Sequence, residues 1–169
     1  MLDRFGTNST QLTGLLSFAA ATIACLIAAR HSDSRDAPTW RLLALMNGLF
    51  LIEIFSGFRH RMHDLVKAML MAEGLYAHMH GWIQEIIDIL IAIIAIIFVT
   101  LLLFWRQVAG GAARVAVSVT IVVVALFAIE TVSLHELREV LYQQIGPVLM
   151  IAWLWAIAAA GICLAATLR

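Results

Sequence analysis

Residues 82–105 read WIQEIIDILIAIIAIIFVTLLLFW. Beyond Gln84, Glu85 and Asp88 the only polar residue before the closing tryptophan is Thr100. As a helix rising about 1.5 Å per residue, the run is long enough to cross the ~30 Å hydrocarbon core of a bilayer. Tryptophan at each end suits the membrane–water interfaces, where an amphipathic ring meets the headgroups. Four further stretches approach the same length: Leu12–Ala29, Leu42–Phe58, Val115–Leu134 and Pro147–Leu168. The second carries Asn47 and Glu53, but Trp40 and Arg41 give it an interfacial start, and its helical pattern runs on through Arg59–Met71, half in water.

The composition of the whole chain agrees. Of 169 residues, 63% are hydrophobic and 13% charged, with a mean hydropathy of +0.95. Ordinary soluble domains are roughly 45–50% apolar, so a soluble globular protein is excluded. Eleven Lys and Arg balance eleven Asp and Glu, and no basic stripe is present that could follow a phosphate backbone, so no nucleic-acid partner is expected. Two prolines, ten glycines and no long polar tract leave no room for a linker, so residues 1–169 are read as a single transmembrane helical domain. The stretch after Asp3 and Arg4 superficially resembles a signal peptide, but it is long and no A-x-A site follows, so it is expected to stay as the first membrane helix. Cys25 and Cys163 lie in apolar segments and read as small buried hydrophobes.

The connections are short: Arg30–Thr39, a turn around Gly74 to Gly81, Gly110–Gly111, and Tyr142–Gly146 before Pro147, which suits the first turn of a helix. The predicted fold is an all-α integral membrane protein, an up-and-down bundle of about five transmembrane helices, multi-pass in a cell membrane. Side A then holds the N-terminus and the second and fourth loops, and side B the first and third loops and the C-terminus. Trp40 and Trp105 mark side B and Trp82 side A, with Trp153 and Trp155 deeper. Small residues at Ala20/Ala24/Ala28 and Ala152/Ala156/Ala160 are expected to let the first and last helices approach closely. Six cations on side B against five on side A lean towards side B as cytoplasmic.

The placement of titratable residues carries the functional reading. His60, His63, His78, His80 and His135 fall on side A, and only His31 on side B. Asp64, Glu73, Glu85, Glu136 and Glu139 collect on side A too. Three more acids lie inside membrane segments: Glu53, Asp88 and Glu130 each fall about 8–10 Å below that surface, on three different helices. A charge at bilayer depth costs at least about 2.5–3.5 kcal/mol, so each should face the bundle interior with a proton, cation or metal as partner. The bland alternative is pairing with Arg59 and Arg138.

Spacing supports a shared site, since Glu53, His60 and Asp64 recur on one helical face and Glu85 and Asp88 are neighbours at i,i+3. His135, by contrast, is rotated about 140° from Glu130. Bundle di-metal sites use this donor chemistry, with carboxylates bridging two divalent cations and imidazoles supplying nitrogen ligands. The Glu-x-x-His motif of the soluble archetype is absent, although His60 and His63 have i,i+3 spacing and His78-Met79-His80 could bind copper or zinc near the surface.

The leading expectation is therefore a membrane-embedded site for one or two non-haem divalent transition metal ions (iron, manganese, zinc or copper). Its ligands are drawn from Glu53, His60, Asp64, Asp88, Glu130 and His135, and a carboxylate-rich set favours an oxidoreductase acting on a lipid-soluble substrate. The alternatives are a haem b electron-transfer protein with His60 and His135 as axial ligands, a proton relay through the buried acids, and an accessory subunit of a larger membrane complex. Few polar residues continue towards side B, so a complete path would need a homo-oligomer. No HExxH, P-loop, GxSxG, CxxCH or dinucleotide motif occurs, nor the HxxxH and HxxHH boxes of membrane desaturases.

Overall fold

A computed structural model describes residues 8–57, 61, 65, 68, 69, 71, 72, 76–132 and 140–169; at 76–85, 87, 88, 108, 131 and 132 it describes the backbone alone. The elements are α1 (Ser9–His31), α2 (Ala37–Ser56), α3 (Tyr76–Val108), α4 (Gly111–Val132), β1 (Gln144–Ile145), β2 (Val148–Leu149) and α5 (Met150–Thr167). Among the described residues, five helical spans are long and apolar enough to cross a membrane, the pattern of a multi-pass membrane protein.

Inter-element hydrogen bonds show which ends meet. At end A, Ser9 Oγ donates to Pro147 O at 2.6 Å, Leu149 N to Thr10 Oγ1 at 3.0 Å, and Gln11 Nε2 to Ile54 O at 2.9 Å. At end B, Trp105 Nε1 donates to Thr39 Oγ1 at 2.9 Å and Gly110 N to Asp36 Oδ1 at 3.0 Å. The helices thus alternate in direction. α1 packs on α2 and α5, while α4 packs on α3 and α5 and touches α2.

Helix boundaries follow local chemistry. Asn8 caps α1, its Oδ1 accepting from Gln11 N at 2.7 Å, so the helix begins a turn before the apolar run. α2 starts at Ala37 because Pro38 suits a first turn, and it stops at Ser56 because Gly57 turns left-handed, φ 56°. The expected continuation of this helix through Arg59–Met71 is therefore broken at Gly57. Residues 61, 65, 68, 69, 71 and 72 are helical, but Arg61 N bonds Gly57 O and opens a new turn after the break.

α3 begins at Tyr76 and runs through Gly81, where a turn had been expected, so His78 and Glu85 occupy one helix at i,i+7. The expectation for Pro147 is overturned as well. It sits in the turn of a two-residue hairpin whose Gly146 has φ 67°, with Gln144 opposite Leu149 and Ile145 opposite Val148, and α5 starts only at Met150. That φ suits glycine, which has no Cβ to clash.

Packing corrects three further readings. Trp40 is only 1% exposed, so it is a core residue and not part of an interfacial belt. Trp153 is exposed, with its indole N–H donated to Ile145 O at 3.1 Å near end A. The close-packed small residues are Ala21, Cys25 and Ala28 on α1 and Ala152, Ala159 and Ala166 on α5, whereas Ala20 and Ala160 face outward. A seven-residue repeat keeps to one face of a helix better than the four-residue spacing, which drifts about 40° per step.

Two apolar clusters fill the bundle. Towards end B, Cys25, Trp40, Leu43, Leu102, Ala113, Val117 and Ile162 join all five helices. Towards end A, an aromatic group joins four: Phe18 lies 5.4 Å from Phe50 and 5.9 Å from Phe127, Phe50 stacks on Phe127 at 4.6 Å, and Phe127 on Trp155 at 5.8 Å. Such ring pairs add about 0.5–1.5 kcal/mol each beyond the area they bury. α3 is the outlier. It has the highest hydropathy of the five spans, yet only 6% of its window is buried against 33–44% in the others.

Candidate functional site

The aromatic group positions the carboxylates. Phe50 and Phe127 stack across the α2–α4 contact, and Glu53 and Glu130 lie three residues further along their helices, both towards end A. Glu53 continues the stripe of Leu43, Met46 and Phe50, and Glu130 that of Val123 and Phe127, all buried or half-buried. Both acids are themselves half-buried on faces directed into the bundle.

The end-B contacts supply a common origin for comparing heights. From the Asp36–Gly110 bond, Glu53 lies ~26 Å and Glu130 ~30 Å along their helices at about 1.5 Å per residue. From the Trp105–Thr39 bond, the same rise puts Glu53 at ~21 Å and Asp88 at ~26 Å. Glu130 and Asp88 thus fall within about 5 Å of the level of Glu53. Asp88 occupies the helical register of Ala92, Ala95, Val99 and Leu102, the least exposed stripe of α3, whereas Ile89, Ile93, Ile96 and Ile97 lie on its exposed surface.

Glu130 has a partner that the sequence did not single out: Tyr142 Oη donates to Glu130 Oε1 at 2.7 Å. Tyr142 stands just before the hairpin, half-buried and packed against the end-A apolar cluster. The available signal was Tyr142 preceding a Gly-Pro turn, which marks a reversal able to fold the tyrosine back over the end of α4.

His60, His63, Asp64, Ser133, His135, Glu136, Arg138 and Glu139 lie outside the described residues, as do Arg59 and Glu73. Of the six residues proposed as ligands, the structure therefore describes the side chains of Glu53 and Glu130 and the backbone of Asp88. Among the described residues no group of three or more His, Cys, Asp or Glu is gathered as for a metal ion.

Two buried polar atoms stand deeper in the bundle. Asn47 is fully buried, with Nδ2 donating to Leu43 O at 2.8 Å and Oδ1 without a hydrogen-bond partner among the described residues. Trp155 Nε1 is likewise buried without one. Thr120, also fully buried, is satisfied by Ala116 O at 2.9 Å. At the opposite end a cavity of about 480 Å³ is lined by His31, Ser32, Asp36, Trp40 and Arg169, beside the start of α4. Asp36 lies at the start of α2 but makes no side-chain cap there, and serves α4 instead.

No protein-family model matches the chain, and no curated protein or solved structure is significantly similar to it.

Proposed function

We propose that this chain is an integral protein of the cell membrane, an up-and-down bundle that carries a carboxylate-rich metal site near end A. Glu53, Asp88 and Glu130 are the core donors, and His60, Asp64 and His135 complete the set from the adjoining segments. The site holds one or two non-haem divalent ions, iron, manganese, zinc or copper, and supports redox chemistry on a lipid-soluble substrate. The observation that carries this reading is the Phe50–Phe127 stack, with two half-buried carboxylates three residues beyond it towards the same end.

Acids at bilayer depth cost at least about 2.5–3.5 kcal/mol each unless neutralised. Two or three at one level repel one another, and a divalent cation offsets both penalties at once. Hard carboxylate oxygens select iron or manganese over ions that prefer thiolates, and added imidazoles extend the range to zinc and copper.

A second reading, proton relay, draws on Asn47 and Thr120. They are fully buried polar residues between the acids and end B, and one of them retains a carbonyl oxygen able to accept a proton-carrying water.

Elemental analysis of the detergent-purified chain, with an absorption spectrum of the same sample, separates these readings. Near-stoichiometric iron, manganese, zinc or copper without a Soret band is the expected result. A Soret band would replace the site with haem b. Metal-free protein that also fails to take up added iron(II), manganese(II), zinc(II) or copper(II) would remove the metal site and leave the relay.

A further inference from the structure

We infer that Tyr142 is a positioning residue for the end-A site, holding the Glu130 carboxylate in place from the segment that leads into the β1–β2 hairpin; the inference rests on the metal reading above. The hydroxyl of Tyr142 donates to Glu130 Oε1 at 2.7 Å, in the distance range of charge-assisted O–H···O bonds. A glutamate has three side-chain torsions, and a donor fixed to one oxygen restricts them. Outer partners of this kind orient metal-ligating carboxylates, and their loss typically costs about 10–100-fold in affinity or activity.

A positioning group must itself be immobile, and the surroundings of Tyr142 meet that condition. Tyr142 is half-buried and packs against the end-A apolar cluster, and the preceding Leu141 is buried. The hairpin that follows is closed by its own pairing and by Met150 N donating to Gln143 O at 2.9 Å. It is tied to α1 from outside through Ser9 and Thr10, and to α5 through Trp153. The hairpin has only two residues per strand and depends on these external ties, whereas Tyr142 precedes it and is anchored by its own packing and by the buried Leu141, so the ties make separate probes of hairpin and hydroxyl.

The test uses the full chain in detergent, stripped with chelator and titrated with manganese(II), followed by electron paramagnetic resonance, and in parallel with zinc(II) in competition with a chromophoric chelator. Tyr142→Phe removes the hydroxyl and keeps the ring, whereas Ser9→Ala and Thr10→Val loosen the hairpin without touching Tyr142. The expected result is a roughly 10–100-fold weaker affinity and an altered manganese spectrum in Tyr142→Phe, with both hairpin variants within about twofold of wild type. Wild-type affinity in Tyr142→Phe would overturn the role of Tyr142 and leave the metal site standing. Equal weakening in the hairpin variants would also overturn it, because the effect would then come from loop stability. A wild-type chain that binds neither ion would overturn the metal site and this role together.

Discussion

The contact between Asp36 and Gly110 predicts a specific failure of additivity at end B. Asp36 Oδ1 accepts the Gly110 N–H at 3.0 Å just before α4, and a Cβ built on Gly110 would collide with the other oxygen of that carboxylate. Gly110 is not among the glycines with positive φ, so the close approach and not the backbone conformation requires it. Asp36→Ala removes an N-capping acceptor together with a negative charge beside a helix N-terminus, a loss of about 1 kcal/mol within a range of roughly 0.5–2. Gly110→Ala displaces the same carboxylate and so loses the same bond, with a further ~1–3 kcal/mol of overpacking to the extent that Asp36 cannot swing aside.

In the Asp36→Ala background the new methyl meets no carboxylate, so the second substitution should cost almost nothing. The double variant is therefore expected to match Asp36→Ala alone, so the interaction energy equals the whole Gly110→Ala loss, about 1 kcal/mol if Asp36 swings aside and up to about 4 kcal/mol if it cannot. Titration of the purified chain with SDS in mixed micelles, read by circular dichroism, measures all four corners of this cycle. Losses that simply add would show that the carboxylate and the glycine do not share one contact, and would refute the reasoning.

Three other outcomes are expected. Glu53→Ala and Glu130→Ala should each abolish metal retention, measured by elemental analysis, while His31→Ala should retain it, since His31 is exposed at end B with Nδ1 2.9 Å from Ile27 O; full metal content in both acidic variants would remove the core site. Metal bound at neutral pH should be released below about pH 6, because a protonated imidazole cannot coordinate, and unchanged occupancy at pH 5 would exclude His60 and His135 as ligands. Asn47→Leu should raise stability by about 1–3 kcal/mol in the SDS titration, since it replaces a buried unpartnered carbonyl oxygen by an apolar group of similar size; a loss of stability would show that Oδ1 is satisfied in the folded protein.

The five spans were legible because each is a long apolar run, and the bilayer sets a length that composition alone can meet. Their ends were not, because they depend on single residues. Asn8 extends α1, Gly57 ends α2 two residues earlier than hydropathy suggests, and Gly81 is absorbed inside α3. The facing of the helices was only half legible. Ala28 and Ala152 were correctly read as packing positions, but Ala20 and Ala160 were not, since alanine alone does not distinguish a helix contact from a lipid contact. At the candidate site, depth along the helix could be counted from the sequence, so the shared level of Glu53, Asp88 and Glu130 was accessible. The Tyr142 bond was not, because it depends on a hairpin whose proline resembled a helix start.

The position of α3 bears on why three acids share a level. It packs chiefly on α4, and almost all of its apolar window is open, so little besides its contact stripe fixes its rotation about its own axis. Isoleucines cover the open faces and are equally content in lipid at any rotation, whereas Asp88 is not. Turning that stripe outward would take an acid towards hydrocarbon at about 2.5–3.5 kcal/mol or more, comparable to the burial of one large apolar side chain. The register of Asp88 with Ala92, Ala95, Val99 and Leu102 therefore works with the packing, since Ala92 and Ala95 make this the least exposed stripe of α3 and small residues admit a neighbouring helix closely. A metal shared by Asp88, Glu53 and Glu130 would add a bond across this sparsely packed contact and couple the peripheral helix to the rest of the bundle. Metal binding should then protect the backbone amides of α3 near Asp88 from exchange more than those near Trp105, which are already held at end B through Thr39.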